Sequence, residues 1–231
     1  MAKRGILAVF TLALFSGLLF SGAANASINT NAKVQAANAV MQEFMGIPEN
    51  AIPSDLLRQA HAIGIFPDLL KGGFLFAGSY GTGVVLEKNE DGSWGNPLFF
   101  HIVGASFGFQ AGVQSTDAIL IFKSIRSVQK LYEGRITLGA DASIAVGPVG
   151  RMAKADTDVL LRSEILSYSR SRGLFGGVSF EGAVLQMDYG DTADFYNQPG
   201  LLPMQILHNP NIEVPEPGRE LKRTLDWYTT H

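Results

Sequence analysis

The chain has 231 residues, 46% of them hydrophobic and 17% charged, with 26 glycines and no cysteine. That profile excludes a disordered chain and a disulfide-stapled miniprotein, so stability has to come from a packed core. The formal charge of −3 argues against a nucleic-acid binder, which needs a basic surface to neutralise phosphates.

At the N-terminus, Lys3 and Arg4 precede an apolar run from Ile6 to Phe20, and Ala24-Asn25-Ala26 has the small-x-small form of a cleavage site. Ser16 and Gly17 interrupt the run, which is shorter than the ~20 apolar residues of a membrane span. Residues 1–26 therefore read as a secretory signal peptide. A mature chain starting at Ser27 is expected to be periplasmic or secreted, with peripheral membrane association allowed; loss of Lys3 and Arg4 takes its formal charge from −3 to −5.

Residues 32–45 place Val34, Ala37, Val40, Met41 and Phe44 at helical spacing, which predicts an amphipathic helix that either docks on a membrane or packs on the rest of the fold. A second helix is expected from Pro53-Ser54-Asp55, followed by the apolar segment Ala62 to Phe66. From Phe74 the period becomes two. Residues 82–88 and 94–103 flank Asp91-Gly92, the signature of a type I′ hairpin turn. Residues 105–113 continue the alternation, Asp117 to Phe122 is a short strand, and Ser124 to Tyr132 is a helix ended by Gly134. Residues 136–146 alternate as one strand, Gly147 to Arg151 is a turn, and residues 158–169 with 174–187 make a further hairpin.

After a proline- and asparagine-rich stretch, Arg219 to Thr229 reads as a terminal helix with Leu221 and Leu225 on one side. Small residues alternate along several strands, which suits a tightly curved sheet. The fold class expected is α+β: a mostly antiparallel, strongly curved or barrel-like sheet with flanking helices.

Catalytic motifs fail on context. Gly104-Ala105-Ser106-Phe107-Gly108 matches a nucleophile elbow, yet strand alternation continues where that motif needs a helix. His61, His101, His208 and His231 have no metal-ligand spacing, and Gly78 to Gly83 lacks the lysine of a phosphate loop. No enzyme, metal or cofactor is expected. The cations are more informative: Lys71, Arg151, Lys154, Arg170 and Arg172 lie at or near turns, where guanidinium and ammonium groups and glycine-exposed backbone N–H groups can meet a phosphate. If the last hairpin turns at Ser171-Arg172, Arg162 falls opposite Glu181 and that pair is structural, leaving Arg170 and Arg172 as the freer cations.

Several stretches together resemble one known family. Gly147-Pro148-Val149-Gly150-Arg151, Ser171 to Ser179 with Glu181-Gly182, Phe195-Tyr196 and Gln205-Ile206-Leu207 are similar to the SYLF domain family over roughly residues 35–207. The organisation expected is a signal peptide at 1–26, a SYLF-like domain at 27–207 and a tail at 208–231 with a short helix. The resemblance implies a non-catalytic module that binds anionic phospholipids, phosphoinositides in eukaryotic members, partly through an N-terminal amphipathic helix; in this chain the basic glycine-rich hairpin is the rim expected to recognise the headgroups. The alternative is an envelope structural module whose partner is a protein. Some eukaryotic members bind actin; with an export signal and no SH3 domain in this sequence, actin is not expected as a partner.

Overall fold

Four long strands between residues 62 and 122 form the frame on which everything else is laid. The structure, a computed structural model, describes residues 22–49, 51–73, 76–107, 112–150, 161–171, 174–176, 180–200, 202–207, 209 and 211–230. Within these, the chain order is α1 (Gly22–Gly46), α2 (Ser54–Gln59), β1 (Ala62–Gly73), β2 (Phe76–Glu87), β3 (Leu98–Phe107), β4 (Gly112–Phe122) and α3 (Ile125–Tyr132). Then come β5 (Arg135–Thr137), β6 (Ile144–Val146), β7 (Ile165–Ser171), β8 (Leu174–Gly176), β9 (Val184–Met187), α4 (Tyr189–Tyr196), α5 (Pro203–Leu207) and α6 (Glu216–Thr230).

The strands make one sheet in the order β5-β9-β3-β2-β1-β4-β7-β6, with β8 also paired to β7; every pairing is antiparallel except β6 with β7. The α+β class and strong curvature expected from the sequence are both present, as a curled half-barrel. Chain length explains the curl. Laid flat, eight strands would separate β5 from β6 by about 34 Å. Only residues 138–143 join those two strands, a tether that spans at most about 25 Å.

The single strand expected over 136–146 is therefore two strands at opposite edges. Gly139, at φ +87°, supplies the break, and its N–H donates to the Ala142 carbonyl at 2.8 Å. The expected strand over 174–187 likewise divides: β8 stays on β7, whereas β9 pairs with β3 and β5. In the β7–β8 ladder Arg170 faces Phe175 and Ser171 faces Leu174, two residues away from the expected register. Arg162 precedes β7 and Glu181 follows β8, so the predicted cross-strand pair does not form. Glu181 packs instead at the bend, where a Cβ on Gly139 would lie 2.7 Å from its Cγ.

β1 begins at Ala62, inside the stretch whose period had not identified it as a strand. A bulge at Pro67-Asp68 hides the alternation: β1 pairs Ile65 with Val84 and then jumps to Leu70 with Tyr80, while Asp68 adopts φ +49°. Gly83 accommodates this irregularity, because a Cβ there would lie 2.2 Å from the Ile65 carbonyl oxygen. The hairpin between β2 and β3 turns where expected but by different chemistry. Gly92 alone has positive φ, +85°, and Asp91 Oδ1 accepts from the Ser93 N–H at 2.9 Å, so an Asx interaction takes the place of a type I′ turn.

The helices cover one side of the frame. α1 presents Val34, Ala37, Met41 and Phe44, all buried, and contacts β1, β2, α4 and α6; the amphipathic face is core. Lys33 pairs with Asp191 of α4, and the Asn38 side-chain amide donates to Glu220 of α6 at 3.2 Å. α6 returns Leu221 and Leu225, both fully buried, to the same interface. Among the described residues no helix is long and apolar enough to cross a membrane.

Candidate functional site

Strand β4 carries one carboxylate inside an apolar run, Asp117-Ala118-Ile119-Leu120-Ile121-Phe122, and a carboxylate in such a place requires a partner. Pairing of β4 with β7 sets Arg170 directly opposite it. The Arg170 guanidinium donates to Asp117 Oδ2 at 3.0 Å, pairs on its other side with Glu43 of α1, and lies 5.9 Å from the Phe44 ring. The β1 bulge completes the group: the Asp68 N–H donates to Asp117 Oδ1 at 3.0 Å, and Ser115 donates its hydroxyl to Asp68 at 2.8 Å. Burial pushes the Asp117 carboxyl above its usual range; the Asp68 N–H opposes this and the Asp68 carboxylate adds to it.

Arg170 was expected to be a freer cation. The structure corrects this: its side chain is 17% exposed and ties α1 to the sheet. Lys71 belongs to the same sheet, opposite Ser79 on one side and Gln114 on the other. Gln114 stands three residues from Asp117 along β4, so the backbones of Lys71 and Arg170 are roughly 14 Å apart. Arg151, Lys154 and Arg172 lie outside the described residues.

Sequence reasoning missed a row of uncovered apolar side chains. Leu70, Tyr80 and Val103 are 53%, 52% and 46% exposed. They are also direct neighbours across three strands, Leu70 opposite Tyr80 and Tyr80 opposite Val103, with half-buried Val184 next in line. Directly paired positions project to one face, so the row is one ridge. Beneath it Tyr80 stacks on His101 at 6.1 Å, and His101 Nδ1 lies 3.4 Å from Asp188 Oδ2. The register shift at Pro67-Asp68, which brings Leu70 into line with Tyr80, could not be read from composition. Among the described residues no three His, Cys, Asp or Glu side chains are grouped to hold a metal ion.

Comparison with known proteins adds what geometry alone does not. Residues 103–228 match the Ysc84 family model, described as "Las17-binding protein actin regulator". The chain is 31% identical over 213 residues to the SH3 domain-containing YSC84-like protein 1 of Xenopus laevis, covering 89% of this chain and 63% of that protein. It is 34% identical over 181 residues to Protein YSC84 of Saccharomyces cerevisiae, covering 77% and 38%, and 36% identical over 157 residues to a LAS seventeen-binding protein 3 of that species, covering 67% and 34%. The chain thus spans less than two thirds of the length of these relatives. The expectation that actin is an unlikely partner is overturned, because the matching family model carries actin regulation in its own description and relatives are named for Las17 binding. With the family model matching more than half of its residues, the chain belongs to the Ysc84, or SYLF, domain family.

Proposed function

We propose that this chain is a non-catalytic module that binds membranes bearing anionic phospholipid headgroups. The charge at one end of the sheet carries the reading. Antiparallel pairing brings the end of β1 and start of β2, the end of β3 and start of β4, and the end of β7 and start of β8 to that end. By sequence, residues 69–86, 102–116 and 171–176 contain Lys71 and Arg172 and no Asp or Glu, in a chain with 21 acidic residues; Arg172 lies outside the described residues, and the Asp68 carboxylate accepts from Ser115 at 2.8 Å beside this stretch. Lys and Arg side chains near a membrane attract anionic headgroups, by about 1 kcal/mol each. The test is flotation with phosphatidylcholine vesicles and with vesicles that also contain phosphatidylglycerol. Binding should be tighter to the anionic vesicles and should fall about tenfold or more in Lys71→Glu; equal binding to both vesicles contradicts the reading.

A second reading is favoured by the description of the family: the module binds a protein partner of the actin-regulating class. Co-sedimentation with filamentous actin, at salt concentrations that screen non-specific charge, separates it from the first. We also propose that residues 1–26 are a cleaved leader that exports the chain. Cleavage after Ala26 would spare Thr30, the first buried side chain described in α1. An N-terminal mass starting at Ser27 in an envelope fraction supports export, and an intact Met1 in the cytosol rejects it.

A further inference from the structure

We propose that the groove between α1 and α6 binds a small zwitterion in which a phosphate stands next to an ammonium group, as in phosphocholine. This goes beyond the membrane-binding reading and does not depend on it, because a soluble ligand reports on the groove whether or not the chain binds vesicles. α6 buries Leu221, Leu225 and Thr229 against the fold. The adjoining flank of the helix carries Glu220, Arg223, Thr224, Trp227 and Tyr228, side chains that are neighbours at spacings of three and four. With Gln42 of α1 they line a groove of about 420 Å³, a volume suited to a small ligand.

The chemistry of the lining selects that ligand. Gln42 and Thr224 make no side-chain hydrogen bond to a described residue, and Arg223 makes one, donating to Glu216 at 2.8 Å. A guanidinium has five N–H donors, and Glu216 also holds Arg219 at 2.6 Å, so Arg223 can turn to a phosphate without leaving that carboxylate bare. Amide, hydroxyl and guanidinium donors therefore meet at one place, as phosphate oxygens require. Trp227 follows Arg223 by four residues, roughly 6 Å along the helix, a spacing that the two-carbon linker of phosphocholine bridges. Its side chain is 56% exposed, and its ring stands at 79° to that of Tyr228 with centroids 4.8 Å apart. Aromatic faces of this kind, tryptophan above all, attract quaternary ammonium groups. Charge excludes simpler ligands. Glu220, held by the Asn38 amide at 3.2 Å, repels a lone phosphate at Arg223, and Arg223 repels a lone ammonium at Trp227. A zwitterion brings the phosphate that neutralises Arg223 beside its own ammonium, so it meets neither penalty.

The chain's two tryptophans are built-in reporters, since Trp94 is fully buried and Trp227 is exposed. In nitrogen–proton correlation spectra of the full chain, phosphocholine should move the Trp227 indole N–H signal saturably and leave that of Trp94 in place. Choline and inorganic phosphate, each alone at matched ionic strength, should bind at least about tenfold more weakly. By calorimetry, Trp227→Leu and Arg223→Gln should each weaken phosphocholine binding by at least about tenfold, with circular dichroism and melting close to wild type because both side chains are more than half exposed. Competition assigns the source of the ligand. If phosphocholine displaces the chain from phosphatidylcholine vesicles, the groove takes a lipid headgroup; if it binds without displacing the chain, or if the chain ignores those vesicles, the groove takes a soluble zwitterion. A Trp227 signal unmoved at tens of millimolar phosphocholine, equal affinity for phosphate or choline alone, or full binding by both variants overturns the proposal. None of these outcomes bears on the preference for anionic vesicles, which flotation tests separately.

Discussion

Replacing Arg170 with alanine separates a structural role from a ligand role. The variant loses the 3.0 Å charged hydrogen bond to Asp117, in which both side chains are less than one fifth exposed; bonds of this type contribute about 1.5–3 kcal/mol. The pair with Glu43 contributes less, about 0.5 kcal/mol, because that carboxylate is half exposed and screened by water. Contact with the Phe44 ring adds a similar amount. The expected loss is about 3 kcal/mol, or a Tm lowered by about 6–12 °C for a chain of this size.

The loss depends on pH in a defined direction. Asp117 has a folded-state pKa above its unfolded value, so its ionised form costs stability at neutral pH. That cost fades as pH falls through the folded value and is gone below the unfolded one. Without Arg170 the cost at neutral pH is larger, so the gap between wild type and variant should narrow toward acid. Thermal melts from neutral to acidic pH, with a double-mutant cycle through Asp117→Asn, measure both; the coupling should be about 1–2 kcal/mol. A variant that melts within about 1 °C of wild type yet binds anionic vesicles far more weakly would refute the structural assignment.

Three further substitutions test the frame. Gly83→Ala should destabilise by about 3 kcal/mol or fail to fold, because the new methyl meets backbone, 2.2 Å from the Ile65 oxygen and 2.8 Å from the Phe66 Cα; wild-type-like urea unfolding would show that β1 and β2 can part without cost. Phe44→Ala should cost about 3–5 kcal/mol while leaving vesicle binding per folded molecule unchanged, since Phe44 is 1% exposed. Leu225→Ala should cost about 2–5 kcal/mol in a single cooperative transition, because α6 packs on α1; a separate early transition would mean that α6 unfolds on its own.

Much of the frame was legible because local signals agreed with it. Ser124 does cap α3, accepting from the Ser127 N–H at 3.0 Å, Gly134 ends it at φ +82°, and the spacing of Leu221 and Leu225 marks the buried side of α6. Reading failed where a period was broken by one residue. The bulge at Asp68 masked β1, and Gly139 split an unbroken alternation into strands at opposite edges of the sheet. The role of Arg170 was hidden for a different reason: its partners Glu43 and Asp117 are distant in sequence and meet it only through the fold. The one available signal was Asp117 itself, a carboxylate heading an apolar strand. Lys71, expected at or near a turn, stands within β1, and the row of Leu70, Tyr80 and Val103 depends on register, which composition does not encode.

The central claim, that the chain binds membranes bearing anionic headgroups, is tested most directly by flotation of the full chain across vesicle composition and salt. Binding should rise with the phosphatidylglycerol fraction and weaken as salt screens Lys71 and its neighbours. Binding that is indifferent to lipid charge, or absent at low salt, would contradict it.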